Sequence, residues 1–388
     1  MDRWLNKILL GLSEDILREM PDNCIDSIVT DPPYGLKFMG KKWDYDVPSV
    51  ALWKEAYRVL KPGAHVLSFG GTRTYHRMVV NIEDAGFEIR DQILWIYGSG
   101  FPKSLDVSKA IDKAAGEYVP GDVLPSSRAT GKSVSGIATS FRLKTAANPQ
   151  SDLSRQWQGW GTALKPAVEP ICLARKPLEG TVANNVLKWG TGGLNIDGCR
   201  VGTDNLEYRT TSYKEAGTGE FSGQNQTNHT TGHKVVSGRF PANVIHDGSE
   251  EVLQHFPESN GQQGYVSGLE PSTPVLNVYG KYDRHVFPAR NDNGSAARFF
   301  YCAKASTSER GDGNNHPTVK PLDLIKYLVK LITPPDGIVL DMFGGSGTTA
   351  LACYEMGFNY ILIEREPEHI FIANERIKQA TRQERIFL

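Results

Sequence analysis

The first hundred residues alternate between short apolar runs and stretches where apolar positions recur every three or four residues. That alternation predicts strands and helices in turn. Lys7–Leu10 is a short apolar run, and Ser13 is placed to cap a helix that turns Ile16, Leu17 and Met20 toward a core. Ser27–Thr30 is a buried-type strand that runs straight into Asp31-Pro32-Pro33-Tyr34. Leu52–Leu60 has helical spacing and is expected to stop at Lys61-Pro62-Gly63. His65–Phe69, Tyr75–Ala85 and Gln92–Tyr97 then read as strand, helix and strand. Units of this length predict an α/β fold with a parallel sheet and right-handed crossovers.

The pattern fades from Ser104 to about Trp160 and returns as a buried-type strand at Glu169–Ala174. From about Lys176 to Ser295 turn formers dominate. In Val201–Phe240, 19 of 40 residues are Gly, Ser, Thr or Asn, which would suit a disordered linker. Scattered Trp189, Tyr208, Phe221, Phe240 and Val244 instead predict a loop-rich module with a small core. Regularity resumes near Phe299. Leu322–Ile332 is an amphipathic helix, and Gly337–Leu340 is a strand entering the glycine-rich stretch Asp341–Thr349. Thr349–Met356 reads as a helix, Tyr360–Ile363 as a strand ending at Glu364, and Pro367–Gln379 as the closing helix. The sheet therefore begins at one end of the chain and finishes at the other.

Composition narrows the class. The chain has 388 residues, 39 % hydrophobic and 22 % charged, which suits a globular protein with one large domain and a second module. Met1–Met20 mixes apolar and charged residues, without a signal-peptide core or a spanning segment, so no membrane role is expected. The five cysteines, Cys24, Cys172, Cys199, Cys302 and Cys353, lie far apart with no C-x-x-C pair. That spacing predicts reduced thiols in a cytoplasm rather than a zinc site or disulfides, and no metal is expected. Net charge is −1, so composition alone announces no nucleic-acid partner. Phe101–Gly180 carries 11 Lys/Arg against 7 Asp/Glu, a surplus that permits phosphate contact without requiring it.

Two motifs carry chemistry. A strand followed by Phe343-Gly344-Gly345-Ser346-Gly347-Thr348 and then a helix is the geometry of a nucleotide-type loop. Its glycines let backbone approach a ligand, and the helix N-terminus offers unpaired N–H groups. At the end of the next strand, Glu364 can accept both hydroxyls of a ribose. Asp341 beside the loop suits a cationic group, and no G-x-x-x-x-G-K-[ST] phosphate cradle is present. The second motif is Asp31-Pro32-Pro33-Tyr34, at the carboxyl end of a strand, where open α/β sheets place ligands. The Asp31 carboxylate and the Pro32 carbonyl can accept both hydrogens of an NH₂ group, and Tyr34 can stack on a base.

These stretches resemble the DNA methylase N-4/N-6 family. That family pairs a D/N/S-P-P-Y/W tetrapeptide, here Asp31–Tyr34, with an F-x-G-x-G loop, here Phe343–Gly347. His316-Pro317-Thr318-Val319-Lys320-Pro321 resembles its H-P-T-x-K-P segment. Glu364, Glu366-Pro367-Glu368 and then Ile372, Ala373, Arg376 and Ile377 resemble its usual ending. Tetrapeptide first, variable region next and cofactor loop last is the permuted order of the β class. The resemblance implies a Rossmann-like sheet that binds S-adenosyl-L-methionine (AdoMet), circularly permuted, with an inserted target-recognition region. It implies that Asp31, Pro32, Pro33 and Tyr34 hold the target amine. Asp341, the loop through Thr348 and Glu364 would hold AdoMet, with Thr318 and Lys320 near its methionine end. The recognisable parts are residues 1–102, 166–178 and 296–388. Where family members often carry W-x-K-x-N-x-x-P, this chain has Trp95-Ile96-Tyr97-Gly98-Ser99-Gly100-Phe101-Pro102. Phe101 can pack on a flipped base or belong to the core.

The activity so implied is AdoMet-dependent methylation of adenine N6 in double-stranded DNA after base flipping. The insertion 103–165 and the region 179–295 would read sequence, with Arg128, Lys132, Arg142, Lys144 and Arg155 as candidate DNA contacts or simply solubilising charges. Trp157 and Trp160 are expected to be buried, with stacking on a base or wedging into DNA as the alternative. Cytosine-N4 methylation is the runner-up, because an Asp-first tetrapeptide leans to adenine and a Ser-first one to cytosine. RNA and protein glutamine substrates go with Asn-first tetrapeptides, and a catalytically inactive DNA-binding subunit is a further alternative. The resemblance also admits a homodimer, a restriction endonuclease partner, and a bacterial or phage source.

Overall fold

In the computed structural model, which describes residues 1–36, 46–100, 104–120, 148–212, 230–259, 293–303 and 319–387, every position of Ile25–Thr30 is buried. A strand buried on both faces needs a packed layer on each side, and the chain supplies both. Ile28, Val66, Leu340 and Ile361 point to one face, where Leu17, Trp53 and Met78 cover them. Their strand neighbours Val29, Leu67, Val339 and Leu362 point to the other, against Leu324, Ile325 and Leu328. The period of two along each strand thus builds two cores from one sheet.

In chain order the first half gives β1 (Lys7–Leu10), α1 (Ser13–Glu19), β2 (Ile25–Thr30), α2 (Val50–Val59), β3 (Leu60–Phe69), α3 (Tyr75–Asp84) and β4 (Glu88–Ile96). Next come α4 (Val107–Ala115), α5 (Asp152–Gln156), β5 (Val168–Arg175) and α6 (Val182–Trp189). A hairpin of β6 (Val201–Ser212) and β7 (Thr230–Arg239) is followed by β8 (Val244–His246), α7 (Glu250–Leu253) and β9 (Tyr301–Cys302). The chain ends with α8 (Leu322–Ile332), β10 (Ile338–Asp341), α9 (Thr348–Met356), β11 (Asn359–Glu364) and α10 (Pro367–Phe387). The main sheet runs β1-β11-β10-β2-β3-β5-β4-β8-β9. β10 lies parallel to β2, with Val339 opposite Ser27 and Leu340 opposite Ile28. Strand order reverses between these two, and their carboxyl ends share one edge.

Several sequence expectations need correction. The sheet is not wholly parallel, because β5 runs antiparallel to both β3 and β4. Ser13 does not cap α1. It is the first helical residue, and its hydroxyl donates to the Met342 carbonyl beside the glycine loop. Lys61-Pro62-Gly63 lies inside β3, which starts at Leu60 immediately after α2. Burial of the tryptophans is also overturned: Trp157 is 37 % exposed and Trp160 60 %. They meet edge to face, with ring centroids 4.9 Å apart, instead of entering a core.

Two of the residues expected to form a small core in the loop-rich stretch lie elsewhere. Phe240 is exposed, and Val244 sits in β8, which pairs with β4 in the main sheet. Tyr208, Phe221, Phe101, Arg128, Lys132, Arg142 and Lys144 lie outside the residues whose side chains are described. Arg155 is described, and pairs with Asp152 on the surface. No described helix is long and apolar enough to cross a membrane.

Ile28 is wholly buried at the centre of the sheet, three residues before Asp31. Ile28→Ala is expected to lower the unfolding free energy by about 2–5 kcal/mol. Urea denaturation would read this as a lower midpoint at unchanged m-value. An unchanged midpoint would contradict its placement in the core.

Candidate active site

β2 ends at Thr30, and the two prolines that follow cannot continue the ladder. The chain therefore leaves the sheet at Asp31, with Pro32 buried beneath it. Tyr34 folds back so that its hydroxyl donates to Asp31 Oδ1 at 2.7 Å. Its carbonyl accepts from the Thr74 hydroxyl. Gly71 lies against the ring closely enough that a Cβ there would sit 3.1 Å from Tyr34 Cδ2. Burial, with Asp31 and Glu169 alongside, pushes the Tyr34 phenol well above its ordinary value, so it is a neutral donor.

On the neighbouring strand, the Asp341 carboxylate ties the two motifs together. It accepts from Thr30 Oγ1 at the end of β2, from Thr349 Oγ1 in α9, both at 2.7 Å, and from the Phe343 N–H at 3.0 Å. Burial pushes its pKa up to about 6, against the opposing pull of those hydrogen bonds. Ser13 bonds to Met342, so α1 and β2 both brace the loop.

Gly345 has φ 49° and Gly347 φ 79°, left-handed conformations that favour glycine. Gly347 also packs on α10, where a Cβ would lie 2.6 Å from that of Ala373. It shapes the turn and does not line the cavity between the two motifs. Arg376 of α10 donates to the Ser346 carbonyl at 2.8 Å and to the Thr348 hydroxyl at 3.0 Å. Glu364, at the end of β11, accepts from Gly345 N–H and Glu366 N–H, both at 2.8 Å, one on each oxygen. Burial alone would raise its pKa. The bonds from His369, Glu366 and Gly345 outweigh burial and hold it below the usual carboxylate value. The carboxylate is thus kept ionised, with a lone pair on each oxygen still available.

The two motifs line one cavity of about 860 Å³. Asp31, Pro32, Pro33 and Tyr34 border it, as do Asp341, Phe343, Gly344, Gly345, Ser346, Thr348 and Glu364. Lys320 also borders it, whereas Thr318 lies outside the described residues. The Lys320 ammonium reaches across to the tetrapeptide: it donates to Asp31 Oδ2 at 2.7 Å and to Tyr34 Oη at 3.1 Å. It also lies 3.1 Å from Glu169 Oε2. Burial would lower the Lys320 pKa, but Asp31 and Glu169 outweigh it and raise the ammonium above the ordinary lysine value.

The sequence pointed to Lys320 as a cofactor residue near the methionine end, whereas its ammonium contacts Asp31, Tyr34 and Glu169, and Glu169 was missed as a member of the site. The signal was a carboxylate near the start of the mostly apolar strand β5, where a solvated edge position reads the same way. Chemically, the Asp31 end offers acceptors and a flat ring to an amine-bearing heterocycle. The Glu364 end offers an ionised acceptor pair beside a backbone-lined loop.

A family model described as DNA methylase matches residues 25–375. Type II methyltransferase M.HindIII of Haemophilus influenzae is 24 % identical over 326 residues, covering 83 % of this chain. The chain spans 66 % of that relative's length. Among solved structures, the M1.HpyAVI–SAM complex aligns over 95 % of this chain and 98 % of its own, with 15 % identity and a TM-score of 0.39. PvuII DNA methyltransferase, titled cytosine-N4-specific, aligns over 95 % and 84 % with 14 % identity and a TM-score of 0.42. Because the family model runs through the tetrapeptide, the glycine loop and most of the chain between and around them, the chain belongs to the N6/N4 DNA methylase family.

Proposed function

We propose that this protein transfers a methyl group from AdoMet to the exocyclic amine of a base in double-stranded DNA, with adenine N6 as the first reading. The observation that carries the proposal is the single cavity lined by Asp31–Tyr34 at one end and by Gly344, Gly345 and Glu364 at the other. An ionised, pre-oriented carboxylate suits ribose hydroxyls, and Gly344 and Gly345 present backbone to the same cavity. The donor set therefore fits AdoMet. When bound, AdoMet supplies a methyl group made electrophilic by its sulfonium.

The chain's own residues prepare the amine. An exocyclic base amine is a poor nucleophile because its lone pair is delocalised into the ring. Acceptance of its two hydrogens by the Asp31 carboxylate and the Pro32 carbonyl favours a pyramidal nitrogen with that lone pair freed. Tyr34 holds the ring by stacking while its hydroxyl braces Asp31. Positioning and fixed charge then supply the acceleration. The amine proton becomes acidic only as the methyl arrives, so Asp31 need not be a strong base.

The same two acceptors fit cytosine N4, which is why cytosine is the second reading. The Asp-first tetrapeptide supports adenine. Target choice is assigned to segments 103–165 and 179–295, outside the core segments 1–102, 166–178 and 296–388. Thr318 is retained as a candidate beside the methionine end, with Lys320. Flipping of the base is part of the proposal, since an amine within the duplex is out of reach of a recessed carboxylate.

Long-read sequencing of DNA from cells expressing the protein is expected to show N6-methyladenine in one recurring context, and N4-methylcytosine would select the second reading. Asp31→Ala is expected to reduce methyl transfer by about a thousandfold or more, while calorimetry finds AdoMet affinity within about threefold of the starting value. Wild-type turnover in that variant would remove Asp31 from the reaction. Glu364→Ala gives the opposite split. Loss of two charge-assisted bonds is expected to weaken AdoMet binding by about 10- to 100-fold, and unchanged affinity would contradict the ribose assignment.

A further inference from the structure

Asp31 is already occupied when no base is present. Its Oδ1 accepts from Tyr34, and its Oδ2 accepts from the Lys320 ammonium at 2.7 Å. An incoming amine would have to share that carboxylate with a full positive charge. The conflict grows during reaction. As the amine lone pair forms the N–CH₃ bond, the S–CH₃ electron pair stays on sulfur, and the nitrogen carries the positive charge until one N–H proton leaves through Asp31 to water. Two cations on one carboxylate oppose each other in a low-dielectric site.

Glu169 stands at the point that relieves this conflict. It comes from β5, a different strand from Asp31, and the proposed chemistry has no role for it. Its Oε2 is 3.1 Å from Lys320 Nζ and 3.3 Å from the Tyr34 hydroxyl. The Lys320 side chain is 9 % exposed, that of Glu169 20 % and that of Asp31 25 %, so bulk water screens these charges only in part. A buried ammonium that left Asp31 with no second partner would be a costly unpaired charge. With Glu169 in place it can rotate on its flexible stem from one carboxylate to the other.

We propose that Glu169 is a positioning residue that takes over the Lys320 ammonium when the target amine displaces it from Asp31. The idea rests on the methyltransferase reading above and deepens it. Charge counting supports the same role. Asp31 and Glu169 against Lys320 leave this three-residue group at −1, with Tyr34 a neutral donor. Positive charge arriving on the amine brings the group to neutrality. Without Glu169 the ammonium stays on Asp31, and the nitrogen becomes cationic beside an already neutral pair.

The test uses the full chain, tritium-labelled AdoMet and genomic DNA from a methylation-deficient bacterial strain, with single-turnover rates and AdoMet affinity by calorimetry. Glu169→Gln is expected to slow methyl transfer by about 100-fold and to change AdoMet affinity by less than about threefold. Glu169→Asp, which keeps the charge, is expected to recover at least about tenfold of that loss. In a Lys320→Met background no cation needs a second partner, so adding Glu169→Gln is expected to change the rate by less than about threefold. If Lys320→Met is silent, recovery in Glu169→Asp supports the role and its absence overturns it. Wild-type rates in Glu169→Gln would overturn it, as would an equal penalty in both backgrounds or loss of AdoMet affinity in step with rate. Each of those results leaves the wild-type enzyme active. A wild-type chain that transfers no methyl to DNA would instead condemn the methyltransferase reading, and this inference with it.

Discussion

The parallel pairing of β2 with β10 is the contact on which the site depends. It joins residues more than 300 positions apart in the chain, and it aligns the two strand ends so that Asp31 and Asp341 leave the sheet side by side. The Thr30 hydroxyl, bonded to Asp341, locks the register at that edge. A slip of one residue would turn Ile28 and Leu340 out of one core and Val29 and Val339 out of the other. Burial on both faces therefore enforces the alignment that the chemistry needs.

Four carboxylates divide the work around that edge. Asp341 is enclosed by donors from β2, the glycine loop and α9, and serves as a bracket between the two ends of the chain. Glu364 is held ionised by backbone N–H groups and His369, and keeps lone pairs toward the cavity. Asp31 and Glu169 share one ammonium, that of Lys320. Three different kinds of partner thus give four acidic groups different tasks within one cavity. Neighbours, more than residue type, decide which carboxylate can meet a ligand.

The glycine loop shows how much of a binding site is packing. Gly347 is required by its left-handed conformation and by the nearness of Ala373, whereas Gly344 and Gly345 border the cavity. Arg376 and Ser13 then fasten the loop from α10 and α1. A glycine motif read from sequence groups these positions together, although their physical reasons differ.

By itself the sequence determined the elements with strong periodicity and the two short motifs. Leu322–Ile332 forms the helix its apolar spacing demands, and the strands leading into Asp31 and Asp341 follow from their short β-branched and apolar stretches. Local spacing suffices there because each side chain's fate depends on neighbours within a few residues. Tertiary structure alone decided that β5 runs antiparallel, that Ser13 braces a loop instead of capping a helix, and that Trp157 and Trp160 pair at the surface. It also decided that Glu169 joins Asp31 around the Lys320 ammonium. Apart from the tryptophan pair, whose members are neighbours in the chain, those outcomes hang on partners tens to hundreds of residues away, and a side chain's own type carries no record of which distant group will neutralise or cover it.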